Sequence, residues 1–475
     1  MIYNPENFYR CTIIRGKSTK DLDNLLPTYA SIIDEICPCT RKEFKELFNE
    51  RLSKVLSESN SKTLDNHRTE IAGKLFGMYF VLLDKVFISE RTLKFLEDAD
   101  QPAFFKDLCF KFQFPNGMDK SNKYFENMDN KISFRPFPFI LELLLLSKLK
   151  STFLRLGDIY YYVLNSLQVL QGTIEPEIVL HQIITDREDN VDVNVGKFYP
   201  GKQSSYWKQH LKEQMNLLEL SNLIRINESI VSLNVSEMET IEHFAKHWDK
   251  KPFFNMYKFD LSTPESRKNF QKEWDIYFSQ INEDKPFTTD LSALIKSTEK
   301  ETHTDTTVTT LIEKPLKEFT NNELGDEGEF YVLNLEKERV STFDKSLTRK
   351  VLHLGKTRGL GYDIQSVVAK PGDFAEFVRY IEVKSTKRVT PPDFTSDKFS
   401  DSINLTRNEF IASKQHGDSY FIYRVYFVPG KVIISIIQNP NLKNDEQKLT
   451  IKPVAYRLEF SNEAIDLKVE NERVV

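Results

Sequence analysis

Apolar positions recur at helical spacing through the first two thirds of the chain and shift toward strand-like alternation in the last third. In "RKEFKELFNERLSKVL", Phe44, Leu47, Leu52 and Val55 predict a packed helix. With aromatic-rich pieces such as "LFGMYFVLLDKVF", residues 1–130 read as a mainly helical domain of unassigned role. "FRPFPFILELLLLSKLKSTFLRLGDIYYYVLNSL" reads as a helix, a turn around Gly157 with Asp158 as N-cap, and a second helix. "SSYWKQHLKEQMNLLELSNLIRINESIVSLN" predicts a helix entered from Ser204 or Ser205, then two short strands on either side of "NES".

Helices followed by a small hairpin are the order of a winged-helix module, and residues 131–280 are assigned to it. Its recognition helix would run from Ser205 to Met215, with Tyr206, Trp207, Lys208, Gln209, His210 and Lys212 as the residues to meet DNA. The plainer reading packs Trp207 and Leu211 inward and leaves the lysines solvated. Residues 281–320 then lose all periodicity: "STEKETHTDTTVTT" is polar, Thr-rich and a linker.

In the last domain, residues 321–475, "NNELGDEGEFYVLNLEKERV" predicts a helix with Phe330, Leu333 and Val340 on an apolar side. Glu329 and Glu336 lie two turns apart on that helix, and Glu336 is read as a solvated charge. "YDIQSVV" reads as a strand, "KPGD" as a turn, and "FVRYIEVKST" as a longer strand pairing back. "LTRNEFIASKQHG" predicts a helix with Thr406 as N-cap, Glu409 at its third position and Gly417 as C-cap. "SYFIYRVYFV" and "KVIISII" supply two more strands.

Composition narrows the class. The chain of 475 residues is long enough for two to four domains, and 40% hydrophobic with 28% charged residues is ordinary for a soluble globular protein. The longest apolar run, "FILELLLLSKL", is interrupted by Glu142 and Lys148, short of the roughly 20 residues a bilayer-spanning helix needs. With no apolar leader at the amino terminus, the expected location is the cytoplasm, with no membrane partner. Four cysteines argue against a disulfide framework, and Cys37 and Cys39 lack the histidines or further cysteines that would complete a zinc site. A net charge of −5 excludes a generally basic, nucleic-acid-coating chain but leaves room for a local basic groove.

Chemistry concentrates near the hairpin. Glu382 and Lys384 flank Val383, so they project from one face of a strand while Ile381 and Val383 point into a core. For an arbitrary E-x-K the ordinary reading is an exposed ion pair. Here the hairpin brings Asp363 beside Glu382, with Glu329 approaching from the preceding helix. Carboxylates gathered this closely repel unless a hard cation lies between them, and Mg²⁺ suits such oxygen ligands. A cation at that place would neutralise a scissile phosphate, and Lys384 would orient a water or stabilise developing charge.

These segments resemble the PD-(D/E)XK nuclease superfamily, and within it the Mrr-like branch with the NO VEIN-type C-terminal domain. The matching residues are Gly325, Gly328 and Glu329; Gly359 through Ile364; Ile381 through Ser385; Leu405 through Glu409; and Tyr420 through Val425, in the family's order. They cover residues 323–428, and Arg358 departs from the acidic residue that often precedes G-L-G-Y-D. The chain as a whole reads as a multidomain α+β protein with a mainly helical N-terminal region, and the resemblance implies that its C-terminal domain is an α/β, restriction-endonuclease-like unit with a mixed central sheet. It implies Asp363 and Glu382 as ligands of Mg²⁺, with Mn²⁺ able to substitute, Lys384 as the catalytic lysine and Glu329 as an accessory acid.

Lys345, Arg349, Lys350, Lys356 and Arg358, with Lys387, Arg388 and Arg407, are the expected phosphate contacts. The whole reads as a Mg²⁺-dependent DNA endonuclease acting on double-stranded DNA, for which the resemblance implies a role in restriction or anti-phage defence, with a homodimer matching two sites to two strands. The alternatives are a non-cleaving DNA-binding module, and a scaffold subunit that needs a helicase or methyltransferase partner. A nuclease acting on RNA is a further alternative, although no aromatic RNA-reading motif favours it.

Overall fold

Ser18 and Thr40 each accept a backbone N–H at the head of a helix, and the helices they cap, α1 (Thr19–Ile36) and α2 (Arg41–Leu56), open the first of two units. In this computed structural model the described residues are 3–11, 13, 18–119, 121–193, 204–281, 286–291, 294, 322–355, 359–396, 399–452 and 457–472. Within them, the backbone alone is described at 121–122, 204–210, 322–323, 457–459 and 469–472. The first unit takes in residues 1–97 and 101–289, so positions on both sides of 130 belong to it; the second takes in 98–100 and 290–475. Most of the expected linker lies outside the described residues.

In α2 the buried stripe is Phe44, Phe48 and Leu52, a strict four-residue spacing, while Leu47 and Val55 are half-buried. Three short strands, β1 (Cys39–Thr40), β2 (Tyr79–Leu82) and β3 (Lys85–Ile88), form an antiparallel sheet in the order β1-β3-β2. Helix α3 (Gln101–Lys111) is buried along its whole length. Its charges are accordingly paired: Lys106 Nζ lies 2.8 and 2.9 Å from the two Glu237 carboxylate oxygens, and Asp107 lies 2.6 Å from Arg91 Nε.

The leucine-rich run forms α4 (Pro136–Leu149), with proline in its first turn where no amide donor is needed. After β4 (Leu154–Arg155), Asp158 stands at the third helical position and reaches back to the Arg155 N–H at 2.6 Å, so Arg155, not Asp158, is the cap residue. Helix α5 (Ser204–Leu220) begins where expected but continues past Met215. It is followed by β5 (Ile224–Asn227) and β6 (Ile230–Leu233), joined through a turn in which Glu228 has a φ of 56°. The hairpin gains β4 as a third strand, in the order β4-β6-β5.

The second unit is built on α6 (Asn322–Phe343), followed by β7 (Leu352–His353), β8 (Ile364–Val367), β9 (Val378–Lys387), β10 (Asp401–Asn404), α7 (Arg407–His416), β11 (Tyr420–Val428), β12 (Lys431–Gln438), β13 (Leu449–Lys452), β14 (Arg457–Phe460) and β15 (Leu467–Glu472). Six strands make a mixed sheet in the order β15-β12-β11-β9-β8-β7, with β9 and β11 parallel and the other neighbours antiparallel. β10, β14 and β13 form a second, antiparallel sheet. Every residue of β11 is buried, as befits a central strand covered on both faces.

One face of the six-stranded sheet carries Ile381, Val383, Tyr423 and Val425 in a core with Val332, Leu333 and Val340 of α6. Tyr420, Ile422 and Ile437 pack in a separate core with Ala412 of α7. A Cβ at Gly328 would fall 1.9 Å from Ser385 Oγ, so only glycine lets α6 approach β9 this closely. Two expectations for α6 are overturned. Phe330 is 56% exposed, and Glu336 is 1% exposed instead of solvated, because the inward stripe runs through Val332, Glu336 and Val340 at four-residue steps. Glu336 is held there by Arg339 at 2.7 Å and by a 2.7 Å hydrogen bond from the Tyr423 hydroxyl.

Candidate active site

The antiparallel register pairs Ile364 with Ile381, so Asp363, one residue ahead of β8, stands beside Glu382. The Asp363 N–H donates to Ile381 O at 2.9 Å, and its carboxylate Oδ2 accepts the Val383 N–H at 2.8 Å. Backbone and side chain therefore both tie Asp363 to β9. Glu382 and Lys384 share the β9 face opposite to that packed by α6, and Lys384 Nζ lies 2.7 Å from Glu382 Oε1. The pair is not the exposed E-x-K that the pattern alone suggested: Glu382 is 3% exposed, because this face is covered as well.

A second carboxylate meets the lysine. Glu409, at the third position of α7, places Oε2 2.9 Å from Lys384 Nζ. The same oxygen accepts the Thr406 N–H at 3.0 Å, closing the expected capping box. Sequence reasoning recognised Glu409 as a cap and missed its second partner; its place in the "LTRNE" segment of the resemblance was the available signal.

Burial pushes the Asp363 carboxyl up to about 7, and the nearby Glu329 charge adds to the rise. Burial also drives Glu382 well above the usual carboxylate range, against the pull of Lys384, with Asp363 and Glu409 adding to it. Burial works against the Lys384 charge, but Glu382 and Glu409 outweigh it and hold the ammonium above its ordinary range. The site thus gathers more carboxyl groups than ammonium groups at buried positions, where a hard cation would stabilise their ionised forms.

Glu329 sits on α6, and its Oε2 lies 2.6 Å from His353 Nε2 of the edge strand β7. A Cβ at Gly355 would fall 2.1 Å from that oxygen, so the glycine leaves the room the carboxylate occupies. His353 was not foreseen, and a two-residue edge strand offers no periodicity by which to find it. Among the described residues, no group of three or more His, Cys, Asp or Glu side chains is arranged to hold a metal ion. Asp363 and Glu382 alone are nevertheless a fitting donor pair for Mg²⁺, which is commonly bound through one or two carboxylates plus substrate phosphates.

Arg407 is exposed at the first turn of α7, at a helix N-terminus suited to an anion, and Lys212 is exposed on α5. Tyr206, Trp207 and Lys208 lie on the first turns of α5, but their side chains, like Gln209 and His210 and the whole of Lys356 and Arg358, are outside the described residues. Lys350 pairs with Glu376, and Lys387 lies 3.2 Å from Asp100 of the same unit. Arg388 is buried, so it does not offer its guanidinium to solvent as expected. Among the described residues, no helix is long and apolar enough to cross a membrane.

Comparisons with known proteins agree with this architecture. A family model described as the C-terminal domain of protein NO VEIN matches residues 328–437, and one described as the N-terminal domain of restriction endonuclease BpuJI matches residues 3–275. Together they make this a restriction-endonuclease-related protein. Through a match that spans more than half of its residues, the chain belongs to the BpuJI N-terminal family. A crystal structure of pyrene- and phenanthrene-modified DNA in complex with the BpuJ1 endonuclease binding domain is 54% identical over 58% of this chain and 100% of that one, with a TM-score of 0.57. No curated protein matches.

Proposed function

We propose that the protein is a divalent-cation-dependent DNA endonuclease of the restriction type: the first unit recognises duplex DNA, and Asp363, Glu382 and Lys384 of the second hydrolyse a phosphodiester bond. The observation that carries the reading is the β8–β9 register, which brings Asp363 beside Glu382, with Lys384 Nζ 2.7 Å from Glu382 Oε1. Mg²⁺, for which Mn²⁺ would substitute, would be held by Asp363 and Glu382 and would supply the charge that neutralises the scissile phosphate and favours ionisation of water. Asp363, fixed by the Val383 N–H, keeps its orientation without the substrate. Lys384 stabilises charge that develops on the phosphate, and Glu329 serves as an accessory acid held by His353.

The DNA complex of the related binding domain supports DNA as the partner of the first unit, and duplex DNA is the form this reading assigns to it. In this reading residues 131–280 act as a winged-helix module with α5 as recognition helix, and Tyr206, Trp207, Lys208 and Lys212 meet the duplex. Lys356, Arg358 and Arg407 serve the phosphate backbone near the cut. A homodimer would present one site to each strand, and defence against foreign DNA is the role such an enzyme would serve.

The test is incubation with Mg²⁺ and a panel of unmodified, methylated and hydroxymethylated duplexes, beside Lys384→Ala and Asp363→Ala. Wild-type cleavage lost by at least a hundredfold in both variants is expected, as for removal of a group that stabilises transition-state charge. An uncut panel under every divalent metal would sink the autonomous nuclease. It would favour the second reading, a DNA-binding or scaffold subunit that cuts only with a helicase or methyltransferase partner. That reading draws on the 54% identity to a binding domain.

A further inference from the structure

The structure points to Glu409 as a positioning residue: we infer that it anchors the Lys384 ammonium so that Glu382 is released to a divalent cation. This rests on the nuclease reading above and adds a residue to it. Lys384 Nζ stands between two carboxylates, 2.7 Å from Glu382 Oε1 and 2.9 Å from Glu409 Oε2. Glu382 cannot serve an ammonium and a divalent cation equally, because the two positive charges repel across a shared, buried carboxylate. A lysine paired with Glu382 alone would therefore compete with the cation.

Glu409 resolves the competition because its orientation is set from elsewhere. Its Oε2 accepts the Thr406 N–H at 3.0 Å while its own N–H donates to Thr406 Oγ1 at 3.3 Å, a capping box that belongs to α7 and not to β8 or β9. Its side chain is 12% exposed and that of Lys384 22%, so the contact is shielded from water more than a surface ion pair is. When Glu382 turns to a cation, Lys384 keeps a charged partner and stays at the site.

The test compares the full-length wild type with Glu409→Gln, Lys384→Ala and the double variant. It uses calorimetric titration with Ca²⁺ alone, thermal melting, and cleavage kinetics with Mg²⁺. The glutamine keeps an oxygen for the Thr406 N–H, so the melting temperature should hold. Ca²⁺ binding should weaken on the order of tenfold, about the worth of one charge-assisted hydrogen bond. Turnover should fall with the KM for DNA unchanged, and Glu409→Asp should restore part of it. In the Lys384→Ala background the Glu409 substitution should leave Ca²⁺ binding unmoved, since there is no lysine left to divert.

Wild-type Ca²⁺ binding and turnover in Glu409→Gln would overturn the inference. So would a loss of Ca²⁺ binding of the same size in the Lys384→Ala background, which would mark a direct field effect or a structural one. A wild type that binds no cation and cuts no DNA would instead overturn the nuclease reading, and this inference with it.

Discussion

Asp363 carries a cost in the cation-free protein that pH should reveal. Its folded carboxyl is pushed up to about 7 from 3.8, by burial first and then by Glu329, with Glu409 adding and the Val383 N–H and Lys384 opposing. A raised folded value means that the favourable protonated form is fully present below pH 3.8 and is lost as pH rises through about 7. At pH 8 the carboxylate therefore destabilises the fold. Asp363→Asn should stabilise the cation-free protein there by on the order of 2 kcal/mol after allowance for screening, and by little at pH 4. Scanning calorimetry across this range checks it: a pH-independent difference would show that the titration is not the cause. The shared face of Glu382 and Lys384 was legible because strand alternation is local, and the place of Asp363 beside Glu382 because a hairpin pairs strands that are neighbours in sequence. Glu409 was legible only as a cap, since its contact with Lys384 joins residues 25 positions apart across two elements.

At the scale of elements, α6 shows how a correct period can be misread. Glu329 and Glu336 were placed on one side of the helix, yet Glu336 was left to solvent because charge usually marks the outer face. The structure keeps the spacing and reverses the side. Burial alone would raise the Glu336 carboxyl, but Arg339 and Arg379 outweigh it and hold it below its usual range. Arg339 also donates to Val368 O at 2.7 Å, and Arg379 Nη2 to the Tyr423 hydroxyl at 2.9 Å, so the glutamate helps lock α6 onto the sheet. Glu336→Ala, which removes the buried carboxylate facing two guanidinium groups, should cost about 3 kcal/mol. Urea denaturation would measure it, and a loss below about 0.5 kcal/mol would return Glu336 to the status of a surface charge.

For the whole molecule, the two units lead to separable expectations. A fragment ending at residue 289, where the first unit ends, should fold and bind duplex DNA within about threefold of the full chain without cutting it, since domains with their own cores fold independently. Its affinity should fall steeply with salt as phosphate contacts release counterions. Fluorescence anisotropy across a salt series checks both, and a fragment that cannot bind would show that the second unit contributes to recognition. The mild net charge of −5 said little about this partner, because a groove depends on where charges gather and not on their sum.

By itself the sequence determined which residues alternate on β9, where α6 and α7 run, that Thr406 and Glu409 cap one of them, and that the last third forms a sheet. All of these follow from periods of two or 3.6 residues and from capping within a single turn. Only the tertiary structure decided that Glu382 is buried, that Glu336 faces inward, that His353 meets Glu329 and that Lys384 is shared with Glu409. Those outcomes depend on which distant elements cover a face, and on how little water remains around the charges once they do.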